Sequence, residues 1–203
     1  MKLVCLDLEG VLVPEIWIAF SESSGIKELR RTTRDEPNYD KLMNYRIDIL
    51  KKNNVKLADI QNAIARIEPL DGAVEFTKKL RVKTQLVILS DTFEQFARPL
   101  MEKLYLPTLF CNSLITSQDG YVTGYNLRQK NGKQKAIAAF KSLNIKVFAS
   151  GDSYNDIAMI KKADRGCLFK APESIRLEFK NLKNVDSYDD LMKEVEKFIA
   201  DDL

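Results

Sequence analysis

The sequence has 203 residues, 45% hydrophobic and 30% charged, which is enough to bury one sizeable core or a core with an appendage. Its 32 basic and 29 acidic residues are interspersed and leave a net charge of only +3, which excludes the basic stripe of a nucleic-acid-binding protein. No apolar run approaches the ~18 residues of a membrane span, and Asp7 interrupts the stretch that a signal peptide would need. We therefore expect a cytoplasmic protein that binds no nucleic acid and no membrane.

The residue types present exclude several kinds of catalytic and metal site. Histidine is absent from the sequence, which excludes a Ser/His/Asp triad, a Cys/His pair and a histidine-bound zinc ion. Cys5, Cys111 and Cys167 are far apart and stand in apolar stretches, so we expect buried reduced thiols rather than a disulfide or a zinc site. Carboxylates, lysines and hydroxyls must therefore carry any catalysis.

The first predicted element is a buried strand that ends on an aspartate. Residues 3–6 form an apolar run too short for a helix, which is typical of a central parallel strand covered on both faces. In open α/β sheets ligands bind beyond the carboxyl ends of the strands, where Asp7, Glu9 and the flexible Gly10 follow here. The alternative is that Asp7 caps a turn and Glu9 is simply solvated.

A segment of helical character follows, which we place at residues 14–70. Its apolar spacing predicts an amphipathic helix near residues 42–50, capped by Asp40, and another helix over residues 57–67. Arg46 lies on the apolar stripe of the first of these helices, where an unpaired guanidinium is costly. The alternative for Arg46 is an arginine that extends its charged end into solvent.

After this segment a strand–helix pattern resumes. A predicted strand at residues 86–89 ends on Ser90 and Asp91, and Thr92 with Gln95 predicts a capping box for the following helix. A hydroxyl at a strand end beside a helix N-terminus is well placed to hold a phosphate, because backbone N–H groups and the helix dipole point there.

Another predicted helix, residues 131–143, begins with a lysine. Lys133 at this position opposes the helix dipole, at a cost of some tenths of a kcal/mol that is easier to understand if an anion lies nearby. Before this helix, a short strand near residues 108–111 and a hairpin around residues 118–120 are predicted as accessory strands.

Carboxylates return after the fourth main strand of the pattern. Residues 147–149 are predicted to form this strand, and Asp152, Asn155 and Asp156 follow it. A further strand at residues 166–169 and a final amphipathic helix complete the pattern, which predicts an α/β fold with a doubly wound parallel sheet.

The predicted strand ends bring several acidic side chains to one edge of this sheet. Asp7, Glu9, Asp152 and Asp156 in one crevice would repel one another and raise their pKa values unless a cation lies among them. Oxygen ligands of this kind suit Mg²⁺, which keeps waters and is usually completed by a substrate phosphate. A carboxylate in such a site can also attack phosphorus and form an aspartyl-phosphate.

Four short motifs, in this order, resemble those of the haloacid dehalogenase-like (HAD) phosphatases. They are DLEG at residues 7–10, Ser90 after a strand, Lys133 at a helix start and GDSYND at residues 151–156. The resemblance covers nearly the whole chain. The stretches CLDLEGVLVPE, VILSDTF and GDSYND are similar to the phosphoserine phosphatase branch and, within it, to the phosphoserine:homoserine phosphotransferases.

The resemblance implies a domain organisation and a set of roles. The HAD-like, Rossmann-like core would comprise residues 1–13 and 71–203, with residues 14–70 as a small helical cap inserted after the first strand. Asp7 would be the nucleophile and a metal ligand, and Glu9 the general acid/base and a ligand through its carboxyl or its backbone carbonyl. Asp152 would complete the Mg²⁺ site.

The same resemblance implies how substrate is held. Arg46 would bind the carboxylate of phosphoserine and Glu15 its ammonium group, while Gly10 and Asp156 would support the site and Asp156 would orient Lys133 or the loop. The implied substrate-binding set is Glu15, Arg46, Ser90, Asp91, Lys133 and Asn155, with Lys133 also counted as catalytic.

One departure from the family pattern bears on the reaction. Most of these phosphatases have Asp two positions after the nucleophile, where this chain has Glu9. The extra methylene moves the proton-transfer group by about a bond length, and catalytic geometry is intolerant of shifts near 1 Å. We therefore expect an alcohol acceptor, homoserine, to compete with water for the phosphoryl group.

Three alternatives remain open at the level of the sequence. One is a HAD phosphatase for another small phosphomonoester, and another is a phosphate-binding regulatory module that has lost turnover through Glu9. The third is a purely structural interpretation, in which the carboxylates are caps and surface residues and Asp152→Asn leaves metal affinity unchanged. A homodimer is also left open.

Overall fold

The structure is a computed structural model of the chain and describes residues 1–32, 35–36 and 38–201. Thr33, Arg34 and Pro37, from the charged middle of the helical segment, and the last two residues, Asp202 and Leu203, lie outside the described residues. Among the helices that are described, none combines the length and apolar character needed to cross a membrane.

The described residues form one sheet of seven strands. In chain order the strands are β1 (Lys2–Leu6), β2 (Gln85–Phe93), β3 (Thr108–Thr116), β4 (Val122–Asn126), β5 (Lys146–Gly151), β6 (Arg165–Phe169) and β7 (Asn184–Val185). Their spatial order is β4-β3-β2-β1-β5-β6-β7, in which β3 and β4 pair antiparallel and the other neighbours pair parallel. The predicted doubly wound α/β sheet is confirmed, with β1 at its centre.

Nine α-helices and one 3-10 helix, counted over the described residues, accompany the sheet. The α-helices are α1 (Ile16–Ser24), α2 (Tyr39–Lys52), α3 (Leu57–Ile64), α4 (Ala73–Lys83), α5 (Glu94–Lys103), α6 (Gly132–Ser142), α7 (Tyr154–Lys162), α8 (Glu173–Glu178) and α9 (Tyr188–Ala200). The 3-10 helix spans Lys27–Arg30. Residues 14–70, called the helical segment below, thus contain α1, the 3-10 helix, α2 and α3.

The central strand is apolar on both faces because both faces are covered. Val4 and Leu6 belong to a hydrophobic cluster that also contains residues of α4, α9 and the helical segment, whereas Leu3 and Cys5 belong to a second cluster with α6 and α7. This alternation along β1 is the ordinary consequence of the two-residue period of a strand. Because both faces of β1 are buried, residues 3–6 are all apolar.

The chain passes into and out of the helical segment through two connections that lie side by side. Leu70 N donates a hydrogen bond to Leu12 O at 2.9 Å, and Tyr188 OH of α9 donates to Val11 O at 2.6 Å. Buried side chains of α1 and α3, such as Phe20 and Ile60, join the same hydrophobic cluster as Leu6 of β1. The helical segment is therefore anchored close to the end of β1.

Two predicted caps are wrong in detail. Asn38, rather than Asp40, caps α2 by accepting a hydrogen bond from Lys41 N at 3.0 Å. The capping box of Thr92 and Gln95 does not form, because β2 continues through Phe93. The Gln95 side chain instead accepts from Leu114 N and donates to Leu114 O, at 3.0 and 3.1 Å, so a partner in β3 replaces the local cap.

The cysteines behave almost as the sequence predicts. All three lie within the described residues and are free. Cys5 and Cys167 are buried, whereas Cys111 in β3 is only half-buried.

Candidate active site

Asp7 is held rigidly at the end of the central strand. Its backbone N–H donates to Ser150 O of β5 at 3.0 Å, and its Oδ1 accepts a hydrogen bond from Leu8 N at 2.8 Å. The residue is only 4% exposed. The carboxylate therefore has a fixed direction, with one oxygen tied to its own backbone turn.

Lys133 brings a positive charge to this carboxylate from the first turn of α6. Its Nζ lies 2.8 Å from Asp7 Oδ1, 2.7 Å from Asp156 Oδ1 and 3.9 Å from Asp91 Oδ2. Burial would lower the pKa of Lys133, but the charges of Asp156, Asp7 and Asp91 outweigh it and hold the pKa well above its usual range. The buried ammonium therefore stays charged, and the predicted nearby anion is present in the form of carboxylates.

Three carboxylates form a compact acidic triad at the same edge. Oxygen atoms of Asp7, Asp152 and Asp156 all lie within 4.8 Å of one another. Gly10 has φ +77° and packs so closely on this triad that an added Cβ would lie 2.5 Å from the carboxyl of Asp152. The turn after Asp7 therefore requires glycine both for its backbone angle and for space.

Burial and crowding raise the pKa values of two carboxyls of the acidic triad. Burial and the charge of Asp156 hold the pKa of Asp7 well above its usual range, against the opposing charge of Lys133. Burial, the charge of Asp156 and the charge of Glu15 raise the pKa of Asp152 to about 7. Two acids that resist ionisation side by side are a donor set that a cation would stabilise.

Asp156 is already saturated with hydrogen bonds. Its Oδ1 accepts from Lys133, and its Oδ2 accepts from the backbone N–H groups of Asp152 and Ser153, both at 3.1 Å. Ser153 Oγ also donates to Oδ2, and Ser153 and Asp156 form the capping box of α7 through their backbone N–H groups. Both oxygens are thus engaged, so Asp156 fixes the loop and Lys133 while Asp7 and Asp152 remain better placed to bind an ion.

The acidic triad fits a hard divalent cation by the chemistry of its donors. Carboxylate oxygens at a buried, crowded position are the ligands that Mg²⁺ and similar ions take in proteins. The Glu9 carboxyl is not part of the triad, so a ligand from Glu9 would come from its backbone carbonyl. The predicted set of Asp7, Glu9 and Asp152 remains a prediction.

The Glu9 side chain points toward the helical segment. Its Oε1 accepts a hydrogen bond from Ile16 N at 2.8 Å, at the N-terminus of α1. Burial, and next the charge of Glu15, raise the pKa of Glu9 to about 7, while the Ile16 N–H and Arg46 oppose the shift. A carboxyl with a pKa near neutrality can both give and take a proton, which is what a general acid/base requires.

Ser90, Asp91 and Asn155 form another wall of the site. Ser90 is buried at the end of the sheet, and its Oγ accepts a hydrogen bond from Thr92 N at 3.1 Å. Asp91 Oδ2 accepts from Asn155 Nδ2 at 2.8 Å. The amide of Asn155, predicted to contact phosphate or substrate, is therefore engaged with Asp91 in this structure.

These side chains line one cavity of about 270 Å³, called the catalytic cavity below. Of the predicted site residues, Asp156 lies behind the wall and all the others contribute to it. The lining includes Asp7, Glu9, Gly10, Glu15, Trp17, Tyr39, Arg46, Ser90, Asp91, Lys133, Asp152 and Asn155. The volume suits a small ligand.

Arg46 places a second buried positive charge on the lining of the catalytic cavity. It is 6% exposed, so the alternative of an arginine extended into solvent is wrong. The guanidinium lies 4.5 Å from the centre of the Trp17 ring, and its Nη2 donates to Arg31 O at 2.8 Å. Burial lowers the pKa of Arg46 to about 10, with Glu9 and Tyr39 opposing, so it remains charged at neutral pH.

One donor of Arg46 is left over. Among the described residues, none provides a hydrogen-bond acceptor for its buried Nε. A buried donor without a partner costs about 1–3 kcal/mol, and more when it is charged. The charged guanidinium therefore has one unsatisfied donor beside the catalytic cavity.

Sequence reasoning missed two aromatic residues of the cavity lining. Trp17, the single tryptophan of the chain, and Tyr39 both stand in helices where an aromatic residue normally indicates core packing. The signal that could have found Trp17 is the arginine of the next helix, Arg46, because arginine stacks preferentially on tryptophan. Tyr39 offered no comparable signal.

The sequence is similar to those of a known hydrolase family. The profile of the haloacid dehalogenase-like hydrolase family matches residues 1–164. A phosphoserine phosphatase of Pseudomonas syringae pv. tomato is 53% identical over 194 residues, covering 96% of this chain and 82% of that protein. The phosphoserine phosphatase ThrH of Pseudomonas aeruginosa is also 53% identical, with 96% of this chain and 95% of that protein covered.

Solved structures that resemble this chain in fold are also those of phosphoserine phosphatases. A crystal structure of phosphoserine phosphatase in its apo form superposes with a TM-score of 0.77 at 26% identity, covering 97% of this chain and 98% of that chain. A phospho-aspartyl intermediate analogue of phosphoserine phosphatase superposes with a TM-score of 0.76 at 25% identity, covering 97% of this chain and 98% of that chain.

Proposed function

The chain belongs to the haloacid dehalogenase-like hydrolases, and we propose that it is a Mg²⁺-dependent phosphoserine phosphatase that works through a phosphorylated Asp7 and also transfers phosphate to homoserine. The observation that carries the proposal is the pair of buried cations lining one small cavity. Lys133 contacts the acidic Asp7, while Arg46 has an unsatisfied donor. A ligand with a phosphoryl group and a carboxylate matches both.

Asp7 is suited to attack phosphorus. Leu8 N and Lys133 direct one of its oxygens, and Lys133 offsets the charge of the incoming phosphoryl group. Asp7 and Asp152, with the backbone carbonyl of Glu9, would hold Mg²⁺, which when bound neutralises phosphoryl oxygens. In the first step an Asp7 oxygen forms a bond to phosphorus while the bond between phosphorus and the serine oxygen breaks.

Glu9 serves both half-reactions. Protonated Glu9 gives its proton to the departing serine oxygen, and the resulting carboxylate later takes a proton from the acceptor hydroxyl as that oxygen attacks phosphorus and releases Asp7. Its pKa of about 7 makes both protonation states accessible near neutral pH. The Ile16 N–H at the start of α1 holds the carboxyl in place between the steps.

The helical segment supplies the selectivity for an amino acid. Arg46 binds the substrate carboxylate, because its Nε lacks a partner and its guanidinium is fixed on Trp17. Glu15, from the same cavity lining, takes the ammonium group. We propose that residues 14–70 act as a cap on a core of residues 1–13 and 71–203, closing over phosphoserine and excluding bulk water.

Homoserine has the same carboxylate and ammonium groups as serine, so Arg46 and Glu15 can bind it in the same way. The two amino acids differ by one methylene, which binding pockets discriminate by only about 1–3 kcal/mol. The longer Glu9 side chain then deprotonates the acceptor hydroxyl from a position that suits an alcohol rather than a small water. Water and homoserine therefore compete for the phosphorylated Asp7.

The experiment supplies phosphoserine, Mg²⁺ and increasing homoserine, and follows phosphohomoserine and free phosphate together. We expect phosphohomoserine to rise as phosphate release falls, and Glu9→Asp to shift the flux back toward water. If homoserine diverts no phosphate at any concentration, the transfer activity is refuted and a plain phosphatase remains. If neither product forms, the phosphatase itself is refuted.

A further inference from the structure

The catalytic cavity adjoins a second, larger cavity of about 730 Å³, which we call the vestibule. The vestibule runs along the start of α6, and its other lining residues include Asn38, Asn112, Leu127, Lys130, Gln134 and Tyr154. Tyr39, Asp91, Lys133 and Asn155 line both cavities. These four residues therefore form the partition between the reacting carboxylate and the wider opening.

Tyr39 is the part of the partition that comes from the helical segment. It is the first residue of α2, and its hydroxyl donates to Asp91 O at 3.4 Å. On the other side, Asn155 Nδ2 donates to Asp91 Oδ2 at 2.8 Å. Asp91 is thus held from both sides, and Tyr39 joins the helical segment to the sheet at this point.

The ring of Tyr39 contributes more to the partition than its hydroxyl does. The 3.4 Å hydrogen bond is long, and Asp91 O already accepts a shorter one from Asn112 Nδ2 at 3.0 Å. Burial, and next the charge of Asp91, raise the pKa of the Tyr39 hydroxyl, so the side chain stays neutral. A neutral aromatic ring is a barrier to water rather than a polar passage.

The hairpin of β3 and β4 fixes the position of this ring. Tyr125 of β4 packs edge-on against Tyr39, with 5.7 Å between ring centroids and 84° between ring planes. The Tyr125 hydroxyl in turn donates to the carboxylate of Asp40, the next residue of α2. Tyr39 therefore has a defined orientation set by a neighbour outside the helical segment.

We propose that Tyr39 is a positioning residue that closes the catalytic cavity toward the vestibule and limits the access of water to phosphorylated Asp7. An alcohol acceptor that enters the cavity is held there by Arg46 and Glu15, whereas water has no such partners. Removing the ring therefore favours water over the alcohol. This inference rests on the phosphatase activity proposed above, whether or not homoserine is an acceptor.

The test uses the serine product itself as the alcohol acceptor. Wild-type and variant proteins receive phosphoserine, Mg²⁺ and labelled serine, and two rates are followed: entry of label into phosphoserine and release of phosphate. We expect Tyr39→Ala to lower the ratio of exchange to release by about fivefold or more, and Tyr39→Phe to keep it within about twofold. The matched control is Tyr45→Ala, in the same helix but lining neither cavity, which leaves the ratio unchanged.

Equal losses of exchange and release in Tyr39→Ala would overturn the proposal, because a merely structural role lowers both rates together. Unfolding curves identify a variant that does not fold. In that event Tyr39→Val, which also removes most of the ring volume, replaces it, and an unchanged ratio in this variant equally overturns the proposal. A wild-type protein that neither exchanges nor releases phosphate would refute the proposed phosphatase instead.

Discussion

At the scale of single residues, Lys133 balances the acidic site. Its ammonium lies within 2.8 Å of both Asp7 and Asp156 in a buried position. Removing one partner of a buried ion pair leaves an uncompensated charge, which costs about 3–5 kcal/mol. The stability of the protein without metal should therefore depend strongly on this one side chain.

We expect Lys133→Met to lower the free energy of unfolding by about 3–5 kcal/mol in chelator, and Mg²⁺ to recover part of the loss, because a cation compensates the same carboxylates. Denaturant titration with and without Mg²⁺ measures both effects. Lys135→Met, an exposed site two residues further along α6, is the control and should change stability by less than about 0.5 kcal/mol. Equal stability of the two variants would contradict the account.

The raised pKa values of Glu9 and Asp152 predict a pH dependence of stability. Both acids have pKa values of about 7 in the folded protein, against 4.5 and 3.8 for the free groups. Between these values the folded state binds more protons than the unfolded state, so the metal-free protein should lose stability as pH rises from about 4 to about 7.

Mg²⁺ competes with protons for the Asp152 carboxylate, so it should raise the melting temperature more at about pH 7.5 than at about pH 5. Thermal melts with Mg²⁺ or chelator at both pH values measure this difference. Asp152→Asn should abolish the Mg²⁺ effect. Should that variant bind Mg²⁺ as well as the wild type, the purely structural interpretation of these carboxylates would stand.

Arg46 should decide selectivity for a substrate with a carboxylate. Loss of a charge-assisted hydrogen-bonded pair corresponds to about 10- to 100-fold in binding, so we expect Arg46→Ala to raise KM for phosphoserine by that factor. KM for phosphoethanolamine, which lacks the carboxylate, should change far less. Steady-state kinetics on both substrates measure the difference.

Two further variants control this result. Arg46→Lys keeps the charge but not the planar fork and should recover only part of the loss. Arg98→Ala, at an exposed position of α5, should leave both KM values unchanged. Equal losses on the two substrates in Arg46→Ala would refute the assignment.

The sequence indicates these residues to different degrees. Arg46 and Lys133 could be singled out because a charge on an apolar stripe or against a helix dipole has a physical cost that calls for a partner. Tyr39 could not, because an aromatic residue in a helix is as consistent with core packing as with a site, and Trp17 could be found only through the arginine on which it stacks. Their roles depend on neighbours that only the tertiary structure supplies, such as Tyr125.

At the scale of elements, local patterns predict the strands and helices better than their ends. The capping box of Thr92 and Gln95 satisfies every local rule, yet Gln95 pairs with the backbone of Leu114 in β3. Two hydrogen bonds to a neighbouring strand outweigh a local cap. The two-residue strand β7 (Asn184–Val185) and the short helix α8 (Glu173–Glu178) were missed because such lengths carry no periodicity.

Lys103 of α5 anchors the exit from the helical segment. Its Nζ donates to Ala65 O and Ile67 O, at 3.0 and 2.8 Å, and lies 2.6 Å from Glu68 Oε1. These groups follow the last turn of α3, where carbonyls lack partners within the helix. The single ammonium therefore fixes one of the two connections to the helical segment.

We expect Lys103→Met to lower the free energy of unfolding by about 1–2 kcal/mol and to speed hydrogen exchange in residues 65–70, because it leaves these carbonyls without their donor. Thermal melts and amide exchange measure the two effects. Lys79→Met on α4, an exposed lysine in an ion pair with Glu75, is the control for loss of a surface charge. Unaltered exchange at residues 65–70 would show that Lys103 does not anchor this connection.

At the scale of the whole molecule, the sheet topology assembles the site. β1 lies between β2 and β5, so the residues at the carboxyl ends of these three strands meet at one edge. This convergence could be predicted, because each strand end carries its polar residues locally and parallel strands end on the same side. The partition of the cavity could not be predicted, because it needs α2, the β3–β4 hairpin and Asp91 at once.

The proposed mechanism requires a covalent phosphate on Asp7. The most direct measurement is acid quenching of the protein during turnover of radiolabelled phosphoserine with Mg²⁺, followed by mapping of the labelled peptide. We predict label on the peptide that contains Asp7, none in Asp7→Asn despite an unchanged fold, and normal labelling in Asp119→Asn, an exposed control on the hairpin. Turnover by Asp7→Asn, or label on another residue, would contradict it.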